Sequence, residues 1–163
     1  ESKSETIEKT EINLTKLVEN VVEDANFEAA GKGKSVVLLK KNKAVLSGNE
    51  RLLRSAIENV LRNAVRYTEN KVEAALETNN GNATIIIRDY GEGIPEKDLR
   101  EIFRPFYRVS EARERKSGGI GLGLSITEQA VHAHHGTVTA KNLEKGLQVE
   151  IKLPLNGGHQ QKI

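Results

Sequence analysis

With 163 residues, 37% of them hydrophobic and only 4% aromatic, the chain suits one α/β domain with a mainly aliphatic core. A net charge of +2 is too small to indicate nucleic-acid binding, and the lack of cysteine excludes disulfides, thiolate zinc sites and a cysteine nucleophile. There is no apolar run of about 18 residues and no signal-peptide pattern, so the chain itself is not expected to span a membrane.

Residues 1–10 are polar and read as a linker or chain end. From Asn13, the apolar residues Leu14, Leu17, Val18, Val21, Val22 and Ala25 recur at helical spacing. Asn13 or Thr15 is the expected cap, and Gly31 the stop. Ser35 to Leu39 reads as a strand, and Ala44 to Leu46 as a second, very short one. The most regular helix pattern runs from Glu50 to Tyr67, with Leu52, Leu53, Ala56, Ile57, Val60, Leu61, Ala64 and Val65 as its stripe. Asn59 and Asn63 are one turn apart beside that stripe, and Arg66 and Tyr67 extend their edge. Asparagine is a mediocre helix former, so this pair invites a functional reading.

Lys71 to Glu77 and Ala83 to Asp89 read as a hairpin around Asn79-Asn80-Gly81. A short helix is expected from Glu96 to Ile102, opened by Pro95. Another should run from Gly123 to about His135, closed by Gly136. Thr137 to Lys141 and Leu147 to Leu153 form a second hairpin with Gly146 near its turn, and residues 156–163 read as a disordered tail. The domain is therefore expected over residues 11–155, with the polar, glycine-bounded segment 91–119 outside the packed layers as a lid.

Four motifs carry chemistry. Asp89-Tyr90-Gly91-Glu92-Gly93 ends a strand on an acid that can accept the exocyclic amine of adenine. Gly119-Ile120-Gly121-Leu122-Gly123-Leu124 alternates glycines immediately before a helix, so backbone N–H groups and a positive helix end can approach phosphates. It is neither a Walker loop nor a dinucleotide fingerprint. Asn63 offers a neutral oxygen to magnesium, an ion that takes few protein ligands. Between the glycine clusters, Phe103-Arg104-Pro105-Phe106-Tyr107-Arg108 opens a basic run; Arg108 is placed to reach a γ-phosphate, and Phe103 and Phe106 are expected to anchor the lid base. His132 and His135 are three apart on one helix, but no third ligand is evident, so they read as structural.

In order and in register, these motifs resemble the N, G1, F and G2 boxes of the ATP-binding catalytic domain of sensor histidine kinases, within the wider family of gyrase, Hsp90 and MutL ATPases. The resemblance covers about Leu14 to Leu155. It implies an α/β (α+β) sandwich of the Bergerat type, a mixed, mostly antiparallel sheet of about five strands with three helices on one face and an ATP lid. It implies that Asn63 binds Mg2+ beside Asn59, and that Arg66 and Tyr67 lie near the phosphates. Asp89 would read adenine in a pocket shaped by Gly91 and Gly93, and Arg108 would approach the γ-phosphate. Gly119, Gly121, Leu122, Gly123 and Leu124 would form the hinge and phosphate contact. The implied function is transfer of the ATP γ-phosphoryl to a histidine on a separate dimerisation domain, with a response regulator downstream.

Two departures qualify it. Ile120 stands where the family commonly has threonine or serine, which admits an alternative reading as a non-catalytic nucleotide-responsive module. No histidine precedes Asn59, so this chain alone is not expected to autophosphorylate. A cytoplasmic, monomeric fragment of a parent anchored in the bacterial inner membrane is expected. A stand-alone ATPase is the third reading, disfavoured by the F box.

Overall fold

A computed structural model of the chain describes residues 7–107 and 123–155. In order these form β1 (Thr10–Asn13), α1 (Leu14–Ala30), β2 (Ser35–Lys41), β3 (Val45–Gly48), α2 (Glu50–Tyr67), β4 (Lys71–Asn79) and β5 (Asn82–Asp89). Two 3-10 turns (Glu96–Asp98 and Glu101–Phe103), α3 (Gly123–Ala133), β6 (Thr137–Asn142) and β7 (Leu147–Pro154) follow. No described helix is long and apolar enough to cross a membrane.

The main sheet has five strands in the order β2-β4-β5-β7-β6. Only β2 and β4 are parallel; the other neighbours are antiparallel. This is the expected mixed, mostly antiparallel α/β sheet. Alternation decides which face is buried: Ala83, Ile85 and Ile87 of β5 join Val72, Ala74 and Leu76 of β4 and Val149, Ile151 and Leu153 of β7 in one core with the helices. By the same alternation Asp89 lies on the buried face, whereas Arg88 and Tyr90 lie on the other.

The helices form where stripe and cap agree. Asn13 accepts from the Lys16 N–H at 3.1 Å to start α1, and Asn49 accepts from the Leu52 N–H at 3.0 Å to start α2. Thr15 does not cap; its hydroxyl donates to the Asn42 carbonyl and accepts from the Ala44 N–H, both at 2.9 Å. At the far end of α2, the Lys34 ammonium donates to the Val65 carbonyl at 2.8 Å, a cation at the negative end of the helix. Asn59 and Asn63 cost α2 at most about 0.7 kcal/mol each against alanine, less than the roughly 1.5–3 kcal/mol from burying one residue such as Leu53. Packing therefore holds these asparagines in the helix.

The structure departs from expectation in five places. The polar leader ends in a strand: β1 pairs with β3 from Thr10 opposite Gly48, a short ladder in which Ile12 and its partner Leu46 face inward. Where one helix from Glu96 to Ile102 is expected, there are two 3-10 turns, Glu96–Asp98 and Glu101–Phe103, with Asp98 and Phe103 buried. Much of the early part of segment 91–119 is packed rather than outside: Phe103 is buried, and Ile94, Leu99 and Ile102 lie against the core. Phe106 anchors nothing, being 70% exposed. Finally, α3 ends in a left-handed residue at His135 (φ 63°), and the Gly136 N–H reaches back to the Val131 carbonyl at 2.9 Å. Gly136 is small for a different reason: a Cβ there would stand 2.3 Å from the Lys152 carbonyl oxygen.

Candidate functional site

Asp89 is only 3% exposed at the end of β5. Its Oδ1 accepts the N–H of Gly91 at 2.8 Å and that of Leu147 at 3.3 Å. A buried carboxylate requires such donors, and here the main chain supplies them. Two glycines allow the approach. A Cβ on Gly91 would stand 2.2 Å from the Tyr67 carbonyl oxygen, and one on Gly146 would stand 1.9 Å from the carbonyl oxygen of Asp89 itself. Gly146 also has φ 90°, a left-handed conformation that favours glycine.

The chain after the acid is held from β6. Asn142 accepts from the Ile94 N–H at 3.0 Å and donates to the Ile94 carbonyl at 2.6 Å. Gly93 turns at φ 78° beneath it, where a Cβ would meet the Asn142 Oδ1 at 2.7 Å. Buried Thr68, just past α2, donates to the Lys71 carbonyl and accepts the Tyr90 N–H at 3.0 Å. Sequence reasoning missed Thr68 and Asn142 and gave Gly146 only a turn. An asparagine closing a strand, opposite a glycine-rich acid turn, was the available signal for Asn142.

On α2, the Asn59 amide donates to the Ser55 carbonyl at 2.9 Å, and its Oδ1 accepts from the Arg62 guanidinium at 3.2 Å. Gly123 lies against it, its Cβ position being 3.4 Å from Asn59 Oδ1. The last glycine of the second cluster is thus brought to the first asparagine. Asn63 and Arg66 are half-buried on the helix, and Tyr67 meets the acid turn through its carbonyl. Leu124 is half-buried and packs on the core. Arg108, Gly119, Gly121 and Leu122, and Ile120 with them, lie outside the described residues.

A seam between α2 and α3 sets these pieces in place. The fully buried Thr127 hydroxyl donates to the Ala56 carbonyl at 2.8 Å. Buried His134 accepts the Asn49 N–H at Nε2, 2.9 Å away, so its proton sits on Nδ1 and is donated to the Ala130 carbonyl at 2.8 Å. Burial pushes its pKa below the ordinary value, against a smaller upward pull from the Ala130 bond. On the outer face of the sheet, the Tyr90 hydroxyl donates to Glu73 at 2.7 Å, which lowers the pKa of that carboxyl, while Arg88 stacks 4.0 Å from the ring centre. A separate groove of about 70 Å³ between α1 and α2, lined by Val21, Ala25, Leu61, Arg62 and Val65 among others, includes none of the candidate residues. Among the described residues, no group of three or more His, Cys, Asp or Glu side chains is arranged to hold a metal ion.

Residues 48–157 match the family described as histidine kinase-, DNA gyrase B- and HSP90-like ATPase. The chain belongs to this ATPase family. The ATPase domain is 42% identical over 146 residues to the sensor histidine kinase CpxA of Escherichia coli K12, covering 88% of this chain and 32% of that protein. It is 31% identical over 158 residues to the sensor protein CutS of Streptomyces coelicolor, covering 94% of this chain and 38% of that one. The chain thus spans about a third of the length of these curated relatives. Its fold matches that of the catalytic domain of the histidine kinase ThkA, with a TM-score of 0.81 at 24% identity over 93% of this chain and 98% of that one. These relatives are sensor kinases, whose catalytic-domain motifs the chain's own motifs resemble.

Proposed function

We propose that this domain binds Mg-ATP between the end of β5 and the asparagine edge of α2 and delivers the γ-phosphoryl to a histidine on a separate dimerisation domain of the whole kinase. The observation that carries this reading is the junction of Gly91 with the Tyr67 carbonyl, which joins the acid turn to the end of the asparagine helix. Asp89 accepts the adenine amine, with Gly91 and Gly93 shaping the pocket. Asn59, Asn63, Arg66 and Tyr67 face the phosphates, and Arg108 approaches the γ-phosphoryl. Gly119, Gly121, Leu122, Gly123 and Leu124 supply hinge and backbone contacts.

The donor set fits magnesium. One neutral asparagine oxygen, with no carboxylate cluster among the described residues, suits an ion held mainly by phosphate oxygens and water. Asn63 would hold it, and the ion would supply charge neutralisation at the phosphates. In the transfer, the bond from the γ-phosphorus to the ADP oxygen breaks and a phosphorus–nitrogen bond to the acceptor histidine forms. The imidazole proton leaves to a base on the dimerisation domain. This chain contributes positioning and charge, the main resources for such a reaction. The whole protein would pass the phosphoryl to a response regulator from the cytoplasmic side of the inner membrane, and the isolated domain would be monomeric.

Calorimetric titration with ATP, ADP and GTP, with and without magnesium, tests the binding claim. Adenine-selective binding strengthened by magnesium is expected; absence of binding at millimolar nucleotide would overturn it. Mixing the domain with its dimerisation domain and labelled ATP tests transfer, and label must appear on histidine. Ile120, in place of a hydroxyl side chain, favours one second reading, a nucleotide-responsive module without transfer. Nucleotide binding without labelled histidine would select it.

A further inference from the structure

The turn between β6 and β7 holds both parts of the proposed base pocket. Its Leu147 N–H reaches Asp89 Oδ1 at 3.3 Å, and Gly146 abuts the Asp89 carbonyl. At the turn's other end, Asn142 grips Ile94 twice. Its Oδ1 accepts the Ile94 N–H at 3.0 Å, and its Nδ2 donates to the Ile94 carbonyl at 2.6 Å. The same Nδ2 donates to Glu96 Oε2 at 3.2 Å. The turn is closed by the Leu143 N–H, which donates to the Gly146 carbonyl at 3.0 Å. The acid and the glycine turn that follows it are thus fixed to one short, internally bonded segment.

The chemistry of the side chain suits the grip. A primary amide carries a donor and an acceptor side by side, so it can pair with the N–H and the carbonyl of one residue as a neighbouring strand would. Gly93 makes room for it: a Cβ there would stand 2.7 Å from Asn142 Oδ1, and φ is 78°. The entrance to the same loop is tied separately, where the Tyr90 N–H donates to the Thr68 hydroxyl oxygen at 3.0 Å. Residues 90–94 are therefore pinned at both ends, whereas a loop that only connects two elements can leave such groups to water. Pinning matters for the base. A carboxylate distinguishes the amine of adenine from the carbonyl of guanine only where the base cannot shift beside it.

We propose that Asn142 is a positioning residue for base selection: by clamping Ile94 it holds residues 91–93 at a fixed offset from Asp89, so that the pocket takes an adenine nucleotide and refuses a guanine one. This rests on the reading of Asp89 as the adenine contact. The clamp acts on the base and leaves the magnesium and phosphate contacts of α2 alone.

The test is titration of the chain with ATP, ADP and GTP, with and without magnesium, alongside Asn142→Ala and Asn142→Asp. Asn142→Ala is expected to weaken ATP and ADP by the same factor, about tenfold, and GTP by less than about twofold, with the gain from magnesium unchanged. Asn142→Asp keeps an acceptor for the Ile94 N–H and loses the donor to its carbonyl. It should lower the preference for ATP over GTP by a smaller factor, and it carries the test if Asn142→Ala does not fold. An unchanged preference in a folded variant, an equal loss for ATP and GTP, or a loss seen only with magnesium would overturn the inference. Asn142 would then be a structural residue, with the Asp89 reading intact. Failure of both variants to fold would overturn it in the same way. Equal affinity of the unmodified chain for ATP and GTP would remove the Asp89 reading and the inference together while sparing nucleotide binding. Failure of the unmodified chain to bind any of the three would remove the functional reading as well.

Discussion

The α-carbon of Gly91 lies against the carbonyl of Tyr67, so close that a Cβ on Gly91 would stand 2.2 Å from that oxygen. The same glycine donates its N–H to Asp89 at 2.8 Å. One residue without a side chain therefore joins the asparagine helix to the acid at the end of β5. Gly91→Ala should destabilise the fold by about 1–3 kcal/mol, because backbone on both sides must shift. The urea midpoint and a nucleotide titration should fall together; a variant with unchanged midpoint and affinity would show that the junction tolerates a methyl group.

Gly146 supports Asp89 from the β6–β7 turn. Gly146→Ala combines a contact of 1.9 Å to the Asp89 carbonyl oxygen with a φ of 90°. The expected cost is at least about 1–3 kcal/mol, with loss of adenine selectivity as Asp89 is displaced. Competition between ATP and GTP measures the second effect, and retained selectivity in a folded variant would rule out this supporting role.

Asp89→Asn and Asn63→Ala should separate the two halves of the site. The first should erode preference for adenine by about 1.5–3 kcal/mol, the worth of a hydrogen bond to a charged group. The second should weaken magnesium-dependent binding most and leave base preference intact. Titrations of both variants with ATP and GTP, with and without magnesium, give the comparison. If both lose the same property, the division of roles is wrong.

His134 makes stability depend on pH. It is buried neutral, accepting the Asn49 N–H at Nε2, with Lys9 and His135 as nearby charged or titratable groups that further disfavour its cation. Its folded pKa lies below the ordinary 6.5, so in the window beneath 6.5 the unfolded chain binds the proton more readily. The stability His134 contributes is complete above 6.5 and declines as pH falls through the folded pKa. His134→Gln should flatten the dependence of the urea midpoint between that pKa and neutrality. An unchanged slope would assign acid sensitivity to other groups.

Thr127→Val tests the α2–α3 seam. The shape is nearly conserved, but the hydroxyl bond to the Ala56 carbonyl disappears from a fully buried position. A loss of about 0.5–1.5 kcal/mol is expected in denaturant unfolding. A larger loss would mean that α3 and Gly123 are displaced along with the bond.

The sequence by itself determined the elements whose signals are local. The α1 and α2 stripes, the Asn13 cap of α1 and the Asn79-Asn80-Gly81 turn each depend on residues within a few positions of one another. It also supplied the identities and order of the acid, asparagine and glycine motifs. Tertiary structure decided what those motifs touch. Asn142 holds Ile94 across 48 residues, Leu147 donates to Asp89 across 58, and His134 reaches Asn49 across 85. Such partners leave no periodic trace, because nothing in either segment encodes the other. The inward turn of Asp98 and the outward turn of Phe106 were equally hidden. Polarity alone argued for the opposite in each case, and only the competition for core space and hydrogen-bond donors in the folded chain reverses it.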